Sequence, residues 1–229
     1  MTWIAENFEL IASLTLVHLR QSLVALGLGF AISLALGWVA WRVEFLRSPL
    51  VTATGLMYTI PSLALLMILP AATGMSAISE SNLIAALVVY AVAILLRSVV
   101  DGLESVGPEV RQAAIALGYG PARRFAAVEL PLAGPVILSG LRVTAVSTIS
   151  LATVGILVGV TNLGYLFTNG LQRRIIPEVF SGILAVAVVA LAIDLLLVLI
   201  GRALMPWTRP SAAKRRSLSP HTAEAGEAS

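Results

Sequence analysis

Residues 107–135 read GPEVRQAAIALGYGPARRFAAVELPLAGP, and this stretch decides the fold because it interrupts an otherwise apolar chain. Pro108 suits the first turn of a helix, and small alanines continue that helix through residues 109–117. Gly118 ends the helix, because glycine tolerates the left-handed backbone that commonly follows a last helical turn. Pro121 then opens a second, shorter helix. The stretch therefore predicts a helical hairpin between two longer segments.

The hairpin is charged and cannot lie in hydrocarbon. Its ionisable side chains are Glu109, Arg111, Arg123, Arg124 and Glu129. Charges at the bilayer centre are costly, so we expect the hairpin at the membrane surface. Pro131 and Pro135 are expected to close it and return the chain to the membrane.

The composition is that of an integral membrane protein. Apolar residues make up 58% of the 229 residues and charged residues 12%, against about 25% charged residues in ordinary soluble domains. There is no cysteine, which excludes disulfides, cysteine-ligated metals and cysteine nucleophiles. The two histidines, His18 and His221, are far apart in sequence, so we expect no metal site and no catalytic residue.

Five stretches are apolar enough to cross a hydrocarbon core of about 30 Å. We place these spans at about 22–40, 52–71, 82–100, 135–157 and 179–204. The predicted fold class is an all-α polytopic membrane protein with the charged hairpin between spans 3 and 4. The predicted organisation is an N-terminal interfacial helix at 1–17, with His18 at the water interface, a membrane domain at 18–204 and a disordered tail at 205–229.

Pro61 interrupts span 2 and predicts a kink there. A proline in mid-membrane is tolerated where protein or water satisfies the freed backbone groups. Two interpretations stay open at this point, a kinked helix that lines a pathway and a kink that serves only packing.

Three ionisable residues fall inside predicted spans, namely Arg97, Arg142 and Asp194. Such residues are expected to have partners, because an isolated charge in lipid is expensive. We predict that Asp194 pairs with Arg142 or with Arg97. A structural tie between helices is favoured over a proton relay.

The basic residues predict the orientation of the spans. Placing the hairpin in the cytoplasm also places most other basic residues there, namely Arg42, Arg47, Arg202, Arg209, Lys214, Arg215 and Arg216. Arg20, Arg173 and Arg174 are left outside. The positive-inside rule therefore predicts an external N-terminus and a cytoplasmic C-terminus.

The hairpin resembles the EAA loop of ABC importer permeases. That loop has the pattern Glu-Ala-Ala, three residues, Gly, nine residues, Ile, one residue, Leu-Pro. Here Gln112-Ala113-Ala114 is followed at the same spacings by Gly118, Val128 and Leu130-Pro131. Gln112 departs from the family's Glu, and Val128 departs from its Ile.

The resemblance implies the fold of a type I ABC importer permease, in which this loop is a cytoplasmic coupling helix that docks into an ATPase subunit. The implied coupling residues are Gln112, Ala113, Ala114, Gly118, Leu130 and Pro131. The implied partners are ABC ATPase subunits, an extracellular solute-binding protein, a second permease chain, identical or a sister, and the lipid bilayer of the cell membrane. Nucleic acid is not an expected partner.

Other runs resemble permeases for osmoprotectants such as glycine betaine, choline, carnitine and proline betaine. These runs are His18-Leu19, Ile60-Pro61-Ser62-Leu63-Ala64-Leu65, Leu96-Arg97 and Gly102-Leu103. The implied mechanism is ATP-driven alternating access, with Tyr58, Pro61, Tyr90 and Ser147 as candidate pathway residues. Because aromatic residues are only 6% of the chain, an aromatic cage for the solute is expected on the binding protein instead.

The chain has no G-x-x-x-x-G-K-[ST] loop for phosphate, so ATP and magnesium are expected on the partner ATPase and no cofactor on this chain. An ATP-independent secondary transporter, with Asp194 as its ion-coupling site, is the alternative. The absence of an inverted repeat argues against it. An intramembrane enzyme lacks a histidine cluster, a cysteine or a convincing nucleophile and base.

Overall fold

The computed structural model describes residues 2–208, and every regular element within them is helical, which confirms the all-α prediction. The helices are α1 (Thr2–Glu6), α2 (Phe8–Arg42), α3 (Glu44–Met57), α4 (Ser62–Thr73), α5 (Glu80–Glu104), α6 (Pro108–Ala116), α7 (Pro121–Arg124), α8 (Leu130–Ala152), α9 (Gly164–Gln172) and α10 (Ile176–Leu204). A π-helical turn, Phe125–Glu129, joins α7 to α8, and 3-10 turns follow α8 at Thr153–Val158 and α10 at Pro206–Thr208. Residues 209–229, most of the predicted disordered tail, lie outside the described residues.

Helix α5 is the centre of the bundle and packs against α2, α3, α4 and α8. Its contact with α2 depends on glycine. A Cβ on Gly29 would collide with the Cβ of Ala91, and one on Gly37 would lie 2.5 Å from Val99 Cγ1. Small residues let membrane helices approach closely. Close packing is needed because an apolar side chain gains no hydrophobic free energy when it moves from lipid to a neighbouring helix.

The contact of α5 with α8 uses the same device. A Cβ on Gly140 would collide with Ser98, and one on Gly102 would lie 2.9 Å from Ile137 Cγ1. Helix α10 packs against α8 and α9, but most of its large apolar side chains stay exposed. This exposed face is suited to lipid or to a second membrane subunit.

The predicted interfacial helix at residues 1–17 and span 1 are not divided at residue 17, because α2 runs without a break from Phe8 to Arg42. His18 was expected at a water interface, and it is instead fully buried. Its Nε2 lies 3.0 Å from the backbone oxygen of Ile149 on α8. Burial among helices explains the difference, since a histidine can leave water where its ring finds a hydrogen-bond partner.

Span 2 is broken more sharply than predicted. Helices α3 and α4 meet at an angle of 111° across residues 58–61, so the pair is a broken span or a re-entrant segment. Pro61 precedes α4 with an extended backbone (φ −58°, ψ 136°). Proline also disfavours helical geometry in the residue before it, which places the break just ahead of Ser62. Residues 2–208 therefore hold four helices long enough to span, and five spans if the bent pair counts as one.

The prediction that Pro131 and Pro135 close the hairpin is wrong, because both lie within α8. The segment Pro121–Val158 forms one helical run of 38 residues. Proline in a helix removes an amide donor and clashes with the carbonyl four residues earlier. The π-helical turn just before Pro131 widens the backbone there, and the Leu130 amide bonds back to the Phe125 oxygen.

Candidate coupling loop and translocation cleft

The loop between α5 and α8 is built on α6 and a left-handed glycine. Gly118 has φ +80°, so its amide reaches the Ile115 oxygen at 2.9 Å and the Tyr119 amide reaches the Ala114 oxygen at 3.1 Å. These paired bonds are the Schellman arrangement that satisfies the last carbonyls of a helix. The predicted helix stop at Gly118 is confirmed.

The six predicted coupling residues do not share one surface. Gln112, Ala113 and Gly118 are exposed on the loop, whereas Ala114 is buried. The small side chain of Ala114 therefore serves packing within the chain and is not part of the exposed surface of the loop. Two large apolar side chains of the loop were missed by the sequence analysis, Ile115 at 55% exposed and Leu117 at 77%. The sequence could have identified both residues, because large apolar side chains are unusual on a short charged loop.

Leu130 and Pro131 lie apart from the exposed loop, at the base of α8. They are half-buried and line an apolar cavity of about 450 Å³, together with Met205 and Trp207 beyond the end of α10. Gly134 admits Met205, whose Sδ would lie 2.7 Å from a Cβ on that glycine. These residues set how the base of α8 packs on the end of α10.

Two arginines fasten the loop to the bundle. Arg124 Nε donates to Glu129 Oε1 at 2.8 Å across the π-helical turn, and Glu129 is buried. Arg111 donates to the Leu103 oxygen at 2.7 Å and lies 4.8 Å from the centre of the Trp41 ring. Charge-assisted hydrogen bonds of this kind are stronger than neutral ones. The loop is therefore held as a defined element on α5 and α8.

The break between α3 and α4 is closed by Tyr90 of α5. Its hydroxyl donates to the backbone oxygen of Ile60, a carbonyl that the broken helix leaves without a partner. Tyr58 meets the Tyr90 ring edge to face, with ring centres 6.2 Å apart and planes at 83°. Aromatic pairs prefer this arrangement.

A cavity of about 410 Å³ lies at this break. Its lining is Tyr58, Ile60, Ser62, Tyr90, Ser147, Ser150 and Leu151. The structure thus brings together three of the four predicted pathway residues, Tyr58, Tyr90 and Ser147. Pro61 lies between Ile60 and Ser62 in the chain but does not line the cavity itself.

The small and hydroxyl residues of α8 divide between two faces. Gly140, Thr144 and Thr148 recur at four-residue spacing and are buried in the bundle. Ser147 and Ser150 line the cavity instead. One sequence pattern therefore serves close packing on one face of α8 and a polar cavity wall on another.

Asp194 of α10 pairs with Arg142 of α8, one of the two predicted partners. Arg142 Nε donates to Asp194 Oδ1 and its Nη2 to Oδ2, each at 2.7 Å. Arg97 is not part of this pair and instead lies 3.6 Å from Asp101 on its own helix. The bidentate pair joins two spans that are distant in sequence.

A buried polar network, missed by the sequence analysis, ties the segment before α9 to α2. Asn162 donates to Gln21 Oε1 at 3.1 Å and to the Ala152 oxygen at 2.7 Å, and it accepts from the Gly164 amide at 2.8 Å. The Gly-Val-Thr-Asn-Leu-Gly run at 159–164 signals a turn but not which helix the asparagine reaches.

Residues 27–210 match the family model of the binding-protein-dependent transport system inner membrane component. The chain is 32% identical to the osmoprotectant import permease protein OsmW of Salmonella typhimurium, over 85% of this chain and 92% of that protein. It is 30% identical to the choline transport system permease protein OpuBB of Bacillus subtilis, over 84% of this chain and 87% of that protein. Among solved structures, an inward-facing form of the MetNI methionine ABC transporter superposes with a TM-score of 0.78 at 20% identity, covering 87% of this chain and 98% of that chain. At that identity, the likeness supports the fold alone.

Proposed function

Since this chain belongs to the family of binding-protein-dependent transport system inner membrane components, as the membrane permease subunit of an ABC importer, we propose that the solute it moves is an osmoprotectant of the quaternary ammonium class. Family membership also favours this reading over the ATP-independent carrier that the sequence left as an alternative. Glycine betaine, choline, carnitine and proline betaine are the solutes to test first.

The observation that carries the proposal is the length of the match to relatives named for these solutes. The similarity to the Salmonella osmoprotectant permease spans 92% of that protein, so it covers the membrane domain rather than one motif. The cavity at the α3–α4 break agrees with this class, because the exposed ring of Tyr58 offers a quaternary ammonium group a π surface. The three serines of the lining, Ser62, Ser147 and Ser150, carry no charge that would repel it.

In the proposed assembly, α6 and Gly118 are the coupling element. The exposed Gln112, Ala113, Ile115 and Leu117 would form the contact with an ABC ATPase subunit, which holds ATP and magnesium. Leu130, Pro131 and the Arg124–Glu129 pair would position the loop on α8. Movement of the loop would then reach the cavity through α8, which carries Ser147 and Ser150.

We place the α6 loop and the C-terminus in the cytoplasm and the N-terminus outside, following the distribution of basic residues. A solute-binding protein would then deliver solute on the side of the α4–α5 connection and α9. A second permease chain, identical or a sister, would complete the pathway opposite the open face of the cavity.

The test is purification from the native host in mild detergent, with mass spectrometry of the co-purifying chains, followed by reconstitution with the ATPase and binding protein. Uptake of labelled glycine betaine, choline, carnitine and proline betaine is then measured with and without ATP. The proposal expects a stoichiometric ATPase and ATP-dependent uptake of at least one of the four.

Because the chain has no cysteine, its orientation can be read with single introduced cysteines. Ala113→Cys should react only with reagents that reach the cytoplasm, and Ser76→Cys, exposed between α4 and α5, only with external ones. Uptake that persists without ATP, or a permease isolated without any ATPase, would contradict the importer assembly.

A further inference from the structure

One face of α5 carries Tyr90, Arg97, Asp101 and Glu104, spaced three or four residues apart on one side of the helix beyond Arg97. Helix α3 packs against α5 in the opposite direction, with Tyr58 near Tyr90 and Arg47 in an ion pair with Glu104. The two helices therefore form a wall that runs from the aromatic cavity toward the α6 loop.

A second, polar cavity of about 380 Å³ lies along this wall. Its charged and hydroxyl lining consists of Glu44, Arg47, Ser48, Thr52, Arg97 and Asp101. Seven residues separate Tyr90 from Arg97, which at 1.5 Å per helical residue is about 10 Å along α5. This cavity therefore lies between the aromatic cavity and the α6 loop along α5.

Arg97 and Asp101 are held loosely. A single Nε to Oδ2 approach of 3.6 Å joins them, and their side chains are 74% and 53% exposed. The pair Arg142–Asp194 has two hydrogen bonds of 2.7 Å instead. An approach of 3.6 Å is longer than a hydrogen bond, so both side chains can turn toward a ligand that offers shorter contacts.

The two charges match the two ends of a zwitterion. A carboxylate loses strong hydrogen bonds to water when it enters a binding site. A planar guanidinium replaces them with two parallel N–H hydrogen bonds. A trimethylammonium group has no hydrogen to donate, and it is stabilised by a nearby carboxylate or aromatic face. A cation without a carboxylate would compete with Arg97 for Asp101 and would offer Arg97 no carboxylate in return.

We propose that Arg97 and Asp101 form a second solute station on the pathway, selective for small zwitterions such as glycine betaine over cations such as choline. Arg97 holds the carboxylate and Asp101 faces the ammonium group. The inference rests on the proposed function, since it assumes that this cavity belongs to the route of the solute.

The test uses the permease–ATPase complex in lipid nanodiscs, without the binding protein. Thr52→Cys places a thiol on the cavity wall in a chain that has no other cysteine. Its rate of modification by a small neutral methanethiosulfonate is followed by mass spectrometry of the intact permease, with glycine betaine or choline added. Ser48→Cys is a second reporter in the same cavity, and Ser76→Cys is the control outside it.

Glycine betaine should slow modification at Thr52→Cys and leave modification at Ser76→Cys unaffected. Choline should need a concentration about tenfold higher for the same protection, because it lacks one charge-assisted contact. Arg97→Gln in the Thr52→Cys background should raise the half-protecting glycine betaine concentration by about tenfold, whereas Arg97→Lys should raise it less. Asp101→Asn should weaken protection by both solutes.

The proposal is overturned if glycine betaine gives no protection at either reporter, if choline protects equally well, or if Arg97→Gln leaves protection unchanged. Stimulation of ATP hydrolysis by loaded binding protein is measured on the same preparation. If ATP hydrolysis is stimulated but glycine betaine does not selectively protect the introduced cysteine, only the Arg97–Asp101 station is refuted. If both this stimulation and ATP-driven uptake are absent, the result counts against the importer itself.

Discussion

Arg142 on α8 holds Asp194 on α10 by both carboxylate oxygens, 52 residues apart in sequence. Neutralising one partner leaves the other charge unpaired among apolar helices, which is the costly case. We expect Asp194→Asn to lower the thermal unfolding temperature in nanodiscs more than Arg142→Gln, because a lone carboxylate can take a proton and a lone guanidinium cannot lose one.

The double variant Arg142→Gln with Asp194→Asn is the control for that ranking. It removes both charges together and should unfold at a higher temperature than Asp194→Asn alone. A double variant that folds normally but no longer transports would favour the proton relay over the structural tie.

Substitutions at Gly118 should act through the backbone conformation and not through the size of the new side chain. A Cβ there meets nothing within 4 Å, but φ is +80°, so Gly118→Ala carries a cost of about 1 kcal/mol from conformation alone. We expect reduced stimulation of ATP hydrolysis by loaded binding protein, with partial recovery in Gly118→Asn, since asparagine tolerates this region.

Gly120 provides the matched control. It also has open space around its Cβ position, but its φ is −66°, which any residue adopts. Gly120→Ala should therefore retain stimulation. Equal losses from the two alanine variants would show that the loop responds to added bulk and not to the left-handed turn.

Larger side chains should destabilise the bundle at those glycines of α2 that face α5. Gly29→Leu and Gly37→Leu force side chains against Ala91 and Val99 and should each destabilise the bundle by about 1–3 kcal/mol. Gly27 lies on the same helix with no atom within 4 Å of its Cβ position, so Gly27→Leu should be neutral. Thermal unfolding in nanodiscs measures all three, and a loss at Gly27 equal to that at Gly29 would refute the packing explanation.

The hydroxyl of Tyr90 should matter more than that of Tyr58. Tyr90→Phe leaves the Ile60 carbonyl without its donor, at a cost of about 1 kcal/mol, and loosens the corner between α3 and α4. We expect slower ATP-driven uptake, measured with the solute identified by the panel. Tyr58→Phe keeps the exposed ring that faces the cavity and should transport normally, whereas Tyr58→Ala should not.

Local chemistry allowed much of this structure to be predicted from the sequence. Pro108 and Gly118 bound α6 as expected, because helix starts and stops depend on residues within one turn. The sequence predicted Arg142 or Arg97 as the partner of Asp194, because a charge in a span needs an opposite charge at similar depth. Tyr58, Tyr90 and Ser147 meet in one cavity, and their role in a pathway stays a prediction.

The errors concern properties set by distant contacts. Pro61 marks a break, but the angle of 111° depends on how Tyr90 and the rest of α5 hold the corner. The burial of His18 depends on the Ile149 carbonyl, 131 residues away. The continuation of α7 through Pro131 required a π-helical turn, which has no recognised sequence signal comparable to a glycine stop.

The 38-residue helical run from Pro121 to Val158 also limits how the chain can change in length. Inserting one residue into its α-helical part would turn everything beyond by about 100°, moving Ser147 off the cavity and Arg142 away from Asp194. The π-helical turn at Phe125–Glu129 is a place where one surplus residue is already absorbed. Length variation among such chains should therefore be confined to connections such as residues 74–79, and an insertion within this run should disrupt the cavity and the ion pair together.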